Sequence, residues 1–215
     1  MSLARTHTVT LTGVNGQVVD VEVDAVAGIP GVTLVGLADT AVSEARDRVR
    51  AAIVNIDEIW ESRKVTINLS PAWVRKRGSG FDLALACACM AAFDRLPREP
   101  LAGLVFIGEL GLDGMVRPVR GILPMVLAAV AAGFSKFMVA EGSGREAALV
   151  PDAEVTVVTS LAEAVGVLRG DMPGRSPATE MVFANPDTGP DLSDVSGQAT
   201  PRLAVEVAPN SSATV

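Results

Sequence analysis

The chain has 215 residues, 49% of them hydrophobic and 20% charged, the balance of an ordinary globular domain with room for one sizeable core plus an extension. Its net charge of −7 argues against a generally basic nucleic-acid binder, because phosphate neutralisation needs clustered Lys and Arg. The acids concentrate late: residues 171–215 hold Asp171, Glu180, Asp187, Asp191, Asp194 and Glu206 against two arginines, a balance of −4 that leaves −3 for residues 1–170. Aromatic residues make up 4% and tyrosine is absent, so Ala, Val, Leu and Ile fill the core, as in helix-on-sheet layers. Cys87 and Cys89 share one apolar stretch; at i and i+2 of a helix they point apart, and they read as small buried side chains.

In chain order, residues 8–26 alternate, and Asn15-Gly16 predicts the tight turn of an antiparallel hairpin. One face of that pair is expected to be buried, with Asp20, Glu22 and Asp24 on the other. After Gly28, Pro30 and Gly31 a third strand runs from Val32 to Val35, and Asp39 caps a helix over 40–55. Lys64–Leu69 is a further strand, closed by Ser70-Pro71. The basic, glycine-bearing passage Trp73 to Asp82 feeds a helix, Leu83–Phe93, that is apolar all round and therefore buried. Leu104–Ile107 and Met115-Val116 are predicted to form a second hairpin turning at Asp113-Gly114. A helix over Ile122–Ala132 ends at Gly133, and Lys136–Val139 is a strand. Ser143-Gly144-Arg145-Glu146 and Ser160-Leu161-Ala162-Glu163 match the S-x-x-E capping box and open short helices around strand Val155–Val158. The class is a mixed α/β sheet.

Past Gly170 the periodicity dissolves. Residues 171–190, rich in Pro and Gly, read as a linker, and residues 191–215 are too short and polar-ended to bury a core alone. The first residues, MSLARTHTVTLTG, lack an apolar signal region, and the run Leu83–Phe93 is too short to span a bilayer. The expectation is a cytoplasmic protein with no membrane partner.

Two stretches carry a family resemblance. Residues 70–86, SPAWVRKRGSGFDLALA, resemble the segment P-x-x-x-x-K-x-G-x-x-F-D-L of the ComM/YifB family of Mg-chelatase-like AAA+ ATPases. Residues 108–133, GELGLDGMVRPVRGILPMVLAAVAAG, resemble its second signature, G-E-L-x-L-D-G-x-x-R-P-V-x-G. Gly28-Ile29-Pro30 through Gly36-Leu37 also fits, so the likeness covers residues 1–170 nearly end to end. It implies an N-terminal domain similar in fold to the Lon proteolytic domain, of the ribosomal-protein and GHMP-kinase type superfamily. It implies the context of a cytoplasmic hexameric motor with a role in DNA branch migration during natural transformation. Residues 191–215 resemble the entry into the AAA+ module and are expected to be disordered, as the truncated start of a motor that the frame does not complete.

The same resemblance allows each activity to be weighed. Lon-type peptidases use a Ser–Lys dyad; the alignment puts Gly80 at the serine, and Leu123, Pro124 and Met125 where the lysine would fall, so no catalytic residue is assigned. A phosphate loop needs G-x-x-x-x-G-K-[ST], and no Gly-Lys pair occurs in the chain. ATP and Mg²⁺, cofactors of the full-length family, therefore have no site in this sequence. His7, the only histidine, has no companions with which to bind a metal. Trp73, Arg75, Lys76 and Arg77 offer a possible DNA contact by stacking and phosphate pairing, with Arg46, Arg48 and Arg50 as a second basic patch. Gly78, Ser79 and Gly80 could bind an anion at the helix start, though a tight turn explains them as well. The expected function is a non-catalytic accessory domain, partnered by copies of itself or by a motor chain. The alternatives are a Ser–Lys-type peptidase or ATPase component working with a separate motor, and a truncated product without a role.

Overall fold

The alternating segments assemble into one seven-stranded sheet. A computed structural model of the chain describes residues 3–76, 78–178, 194, 196–198, 200–201 and 203–204. Strand β1 (Leu3–Thr12) pairs antiparallel with β2 (Asn15–Val26), Thr12 facing Asn15. The connecting turn is therefore Gly13-Val14 rather than the expected Asn15-Gly16. Gly13 takes the left-handed conformation, φ 62°, while Gly16 lies within β2. There a Cβ would sit 2.5 Å from the Cβ of Ala128 and 3.0 Å from the carbonyl oxygen of Pro124, so close helix approach, not turn geometry, requires glycine at 16.

Strand β3 (Gly31–Val35) lies parallel to β4 (Lys64–Ser70), which pairs antiparallel with β2. Helix α1 (Thr40–Asn55) starts where expected, the Asp39 carboxylate accepting from the Val42 amide at 2.9 Å. Helix α2 (Asp82–Ala92) follows the glycine loop, and all of its residues are buried. Strand β5 (Leu104–Ile107) does not form the predicted hairpin. It enters the main sheet between β1 and the later strand β8 (Lys136–Ala140), parallel to both, and its four residues are all buried. The hairpin is made instead by the two-residue strands β6 (Glu109–Leu110) and β7 (Val116–Arg117).

Helix α3 (Ile122–Ala131) precedes β8 (Lys136–Ala140), and α4 (Glu141–Ala147) precedes β9 (Glu154–Val158) and α5 (Leu161–Arg169). The sheet order is β3-β4-β2-β1-β5-β8-β9, with four of its pairings parallel. Helices α1, α2 and α5 pack one apolar layer against it, while α3 and α4 pack the other. On β2, Val19, Val21, Val23 and Ala25 face the first layer and are buried, leaving Asp20, Glu22 and Asp24 on the opposite face. Threonines 6, 8 and 10 of β1 are buried beneath α2; the Thr6 hydroxyl donates to the Ala84 carbonyl at 3.0 Å, whereas the Thr8 hydroxyl has no partner.

Of the two capping boxes, one is made in part, with its carboxylate reaching one residue past the cap. Ser160 accepts from the Glu163 amide at 3.1 Å, and Glu163 accepts from the Thr159 amide at 2.7 Å. Ser143 is instead a buried residue inside α4, which starts two residues earlier, and Glu146 accepts from the Leu123 amide at 3.3 Å. Packing also continues past the expected boundary at residue 170, through the described residues 171–178. Met172 packs on Gly166 and Pro177 on Gly144. The Val157 amide donates to the Arg175 carbonyl at 2.8 Å, and the Arg175 side chain pairs with Glu141 and Glu163, each at 2.6 Å. Residues 171–178 thus form a strap along β9. The expectation for 191–215 falls almost wholly outside the described residues; Thr200, Pro201, Leu203 and Ala204 are helical.

Candidate functional site at the start of the buried helix

The passage that feeds α2 is laid along residues 37–39 by backbone bonds. The Lys76 amide donates to the Leu37 carbonyl at 2.8 Å, and the Asp39 amide donates back to the Lys76 carbonyl at 3.0 Å. Asp39 then works twice: one carboxylate oxygen caps α1 and the other accepts from the Gly78 amide at 3.2 Å. Lys76 cannot serve in a surface patch, because its side chain is wholly buried and its Nζ donates to the Pro71 carbonyl. Burial lowers its pKa, since an ammonium loses hydration there. Trp73, 77% exposed, and Arg75 remain at the surface, while Arg77 lies outside the described residues.

The second expected patch also divides. Arg48 turns inward: its Nε donates to Asp82 at 2.8 Å and its Nη2 to the other oxygen of Asp82 at 3.1 Å. Arg46 pairs with its neighbour Asp47 at 3.0 Å. Arg46 and Arg50 border a groove of about 300 Å³ with Trp60, Glu61 and Arg63, where two acids offset the three arginines.

The Arg48–Asp82 pair is the feature that motif reading missed. Asp82 is fully buried and also accepts from the Leu110 amide at 3.1 Å, so one carboxylate joins α1, α2 and β6. Burial pushes its pKa up, opposed by Arg48 and by the Leu110 amide. The signal was present in the sequence, as a carboxylate heading an apolar helix needs a partner.

Both signature stretches meet in a cleft of about 480 Å³. Its lining includes Gly78, Ser79, Gly80 and Glu109 on one side and Val119, Arg120 and Met125 on the other. The Ser79 hydroxyl donates to Glu109. The amides of Asp82 and Leu83 are used by the Ser79 and Gly108 carbonyls at 3.3 and 3.1 Å, and that of Gly78 by Asp39. With these donors engaged and Glu109 beside the loop, the arrangement fits a tight turn better than an anion cradle.

Gly80 is not a steric necessity: a Cβ there would meet nothing closer than 3.7 Å, and its φ lies outside the left-handed region. A serine would fit and would reach the cleft. Leu123, on the first turn of α3, supplies no base. Among the described residues, no group of three His, Cys, Asp or Glu side chains converges as metal ligands would, and no helix is long and apolar enough to cross a membrane.

With this geometry in place, residues 21–143 match the family model of the ChlI subunit of Mg-chelatase. An uncharacterised protein of Mycobacterium tuberculosis is 43% identical over 208 residues, 97% of this chain and 41% of the relative. The competence protein ComM of Haemophilus influenzae is 36% identical over 215 residues, 97% of this chain and 42% of the relative. A peroxisomal Lon protease homolog of Zea mays is 29% identical over 182 residues, 77% of this chain and 20% of the relative. The chain thus spans about two fifths of the length of the first two relatives.

Proposed function

The chain belongs to the Mg-chelatase ChlI family, among its ComM-type members, and on that basis we propose that it is a non-catalytic assembly or accessory domain. In this reading its fold is that of the Lon proteolytic domain, and its role serves a DNA-processing motor of the kind the family's competence protein represents. The observation that supports the reading is the cleft where the two signature stretches meet, bordered by Gly80 and Met125; the family likeness aligns Gly80 with the nucleophile and Leu123, Pro124 and Met125 with its amine base, so neither member of the dyad is present. Ser79 is the neighbouring hydroxyl, but it donates to a carboxylate. A Ser–Lys dyad needs a lysine amine at that hydroxyl, and among the described residues the lining of the cleft includes none.

Peptide-hydrolysis and ATPase assays on the purified chain, with Ser79→Ala as control, test this directly. No turnover is expected. Turnover abolished by Ser79→Ala would replace the accessory role with that of an unorthodox hydrolase. The DNA side of the reading rests on Trp73 and Arg75, and single-stranded DNA titrated by fluorescence anisotropy tests it. Trp73→Ala should weaken binding, and Arg75→Ala should reduce the salt slope by about one. Binding indifferent to both substitutions would remove this loop from the DNA role.

A further inference from the structure

Strand β9 ends the sheet opposite β3, with β8 as its neighbour on the inner side. Its outer edge is taken by the strap, residues 171–178. Among the described residues a single bridge joins the two, Val157 with Arg175, the Val157 amide donating to the Arg175 carbonyl at 2.8 Å. Apart from Pro177 the strap is exposed throughout, so little burial holds it down. A fitted seat does so instead. The Arg175 Nε and Nη2 donate to the two oxygens of Glu163 at 2.6 and 3.3 Å, and Nη1 donates to Glu141 at 2.6 Å. A lysine, with its one nitrogen, does not reproduce that fork. At Gly174 a Cβ would stand 3.0 Å from Thr156 Cγ2, so the seat favours glycine before the arginine. Pro177 lies on Gly144, where a Cβ would meet it at 3.2 Å. The edge thus reads a short pattern, Gly-Arg-x-Pro, from an extended segment.

We propose that the β9 edge, with Glu141 and Glu163, is a receptor for an extended Gly-Arg-x-Pro segment of a partner protein, and that the strap occupies it as a built-in competitor. In recognition of this kind, backbone pairing at a sheet edge supplies affinity and the side-chain seats select the segment. Lifting the strap leaves two carboxylates beside an open strand edge, and a segment of the same chemistry satisfies both. Tethering gives the strap an effective concentration that is roughly millimolar, so a free segment binds weakly until the strap is displaced. The site shares no residue with the cleft. The inference therefore goes beyond the accessory role and does not depend on whether the cleft is catalytic.

The test is fluorescence anisotropy of a labelled peptide of residues 171–178, titrated with the full chain. Two variants unseat the strap and leave the receptor whole. Arg175→Ala removes the cation, and Gly174→Val drives a branched side chain against Thr156. Both positions are exposed, so the variants retain the fold, which a thermal melt verifies. The peptide should bind each variant at least about tenfold more tightly than wild type. A peptide carrying Arg175→Lys should bind at least about tenfold more weakly than the arginine peptide, and adding Glu141→Gln to Arg175→Ala should weaken binding as well. Amide exchange gives a second measurement: Val157 should be slow in wild type, fast in Arg175→Ala, and slow again once the peptide is added. Equal binding to wild type and both variants, binding to none of them, or equal binding of the arginine and lysine peptides overturns the proposal. Wild-type self-association that the peptide reverses in sedimentation velocity would also overturn it, by making the strap of a second copy the occupant.

Discussion

Replacing Arg48 with methionine keeps much of the side chain's bulk and removes two of the three hydrogen bonds that Asp82 accepts, those at 2.8 and 3.1 Å. The Leu110 amide at 3.1 Å remains. Removing one partner of a buried pair costs about 3–5 kcal/mol because the other charge is stranded. The Arg48 side chain is 22% exposed, so water can reach part of the gap, and about 3 kcal/mol is expected. At this chain length that corresponds to a melting temperature lower by roughly 6–12 °C. The pH dependence follows from the direction of the Asp82 shift. Burial already raises its pKa against the pull of Arg48 and the Leu110 amide. A carboxyl raised in the folded state stabilises the fold while protonated, and that contribution fades as pH rises through the folded-state pKa. Without Arg48 the opposing pull weakens, so the deficit is largest at neutral pH and narrows towards the ordinary aspartate range. Urea titrations at several pH values measure it, with Arg48→Met/Asp82→Leu as the companion. The double variant buries no charge and should recover part of the loss. A single variant costing less than about 1 kcal/mol, or a deficit independent of pH, would refute this account of the pair.

Four further outcomes are expected. Gly16→Ala should lose about 2–3 kcal/mol in urea, because the new methyl meets Ala128 at 2.5 Å between packed elements. Thr8→Val should gain about 1 kcal/mol in the same assay, since it replaces an unpartnered buried hydroxyl with an isosteric methyl. Gly80→Ser should leave the thermal melt nearly unchanged, given the open space at that position, and should confer no peptidase activity while Leu123 stays. Arg175→Ala should free the β9 edge and yield species larger than those of wild type by light scattering. In wild type the Arg175 guanidinium, chiefly, holds the Glu163 pKa down to about 2. The strap's ionic hold is thus intact above the ordinary glutamate range and is lost as pH falls through about 2, where the same larger species should form.

Most elements were legible because their signals are local: the β2 alternation, the Asp39 cap, the apolar run of α2, and Gly133 closing α3. The departures share a cause, which is that a distant segment decided the outcome. Asn15-Gly16 carries a strong turn signal, yet α3 claims Gly16 for close approach, and Gly13 makes the turn. Leu104–Ile107 looked like a hairpin arm because a turn follows it; its unbroken apolar run is the mark of a strand covered on both faces. Ser143 and Glu146 have capping-box spacing, but the helix begins before them and Glu146 serves Leu123. Arg175 sits among prolines and glycines typical of a linker, and only Glu141 and Glu163, far back in sequence, reveal it as an anchor. In the candidate site the family likeness pointed to Gly80 and to residues 123–125, and the cleft that joins residues 78–80 with 118–120 and Met125 is what the structure adds. The burial of Lys76 and the inward turn of Arg48 did not, because charge alone does not say which side chains the fold will enclose.

The complete burial of α2 has a mechanical consequence. A helix without a solvent face has no free direction in which to slide or roll, so its backbone amides exchange only when the whole domain opens, and their exchange rates report global stability. The glycine loop is fastened to this fixed post. Any event in the cleft must therefore be relayed by what borders it on the outside, the short β6–β7 hairpin with Leu112 at its exposed tip. That hairpin is the place to look for motion when a partner binds.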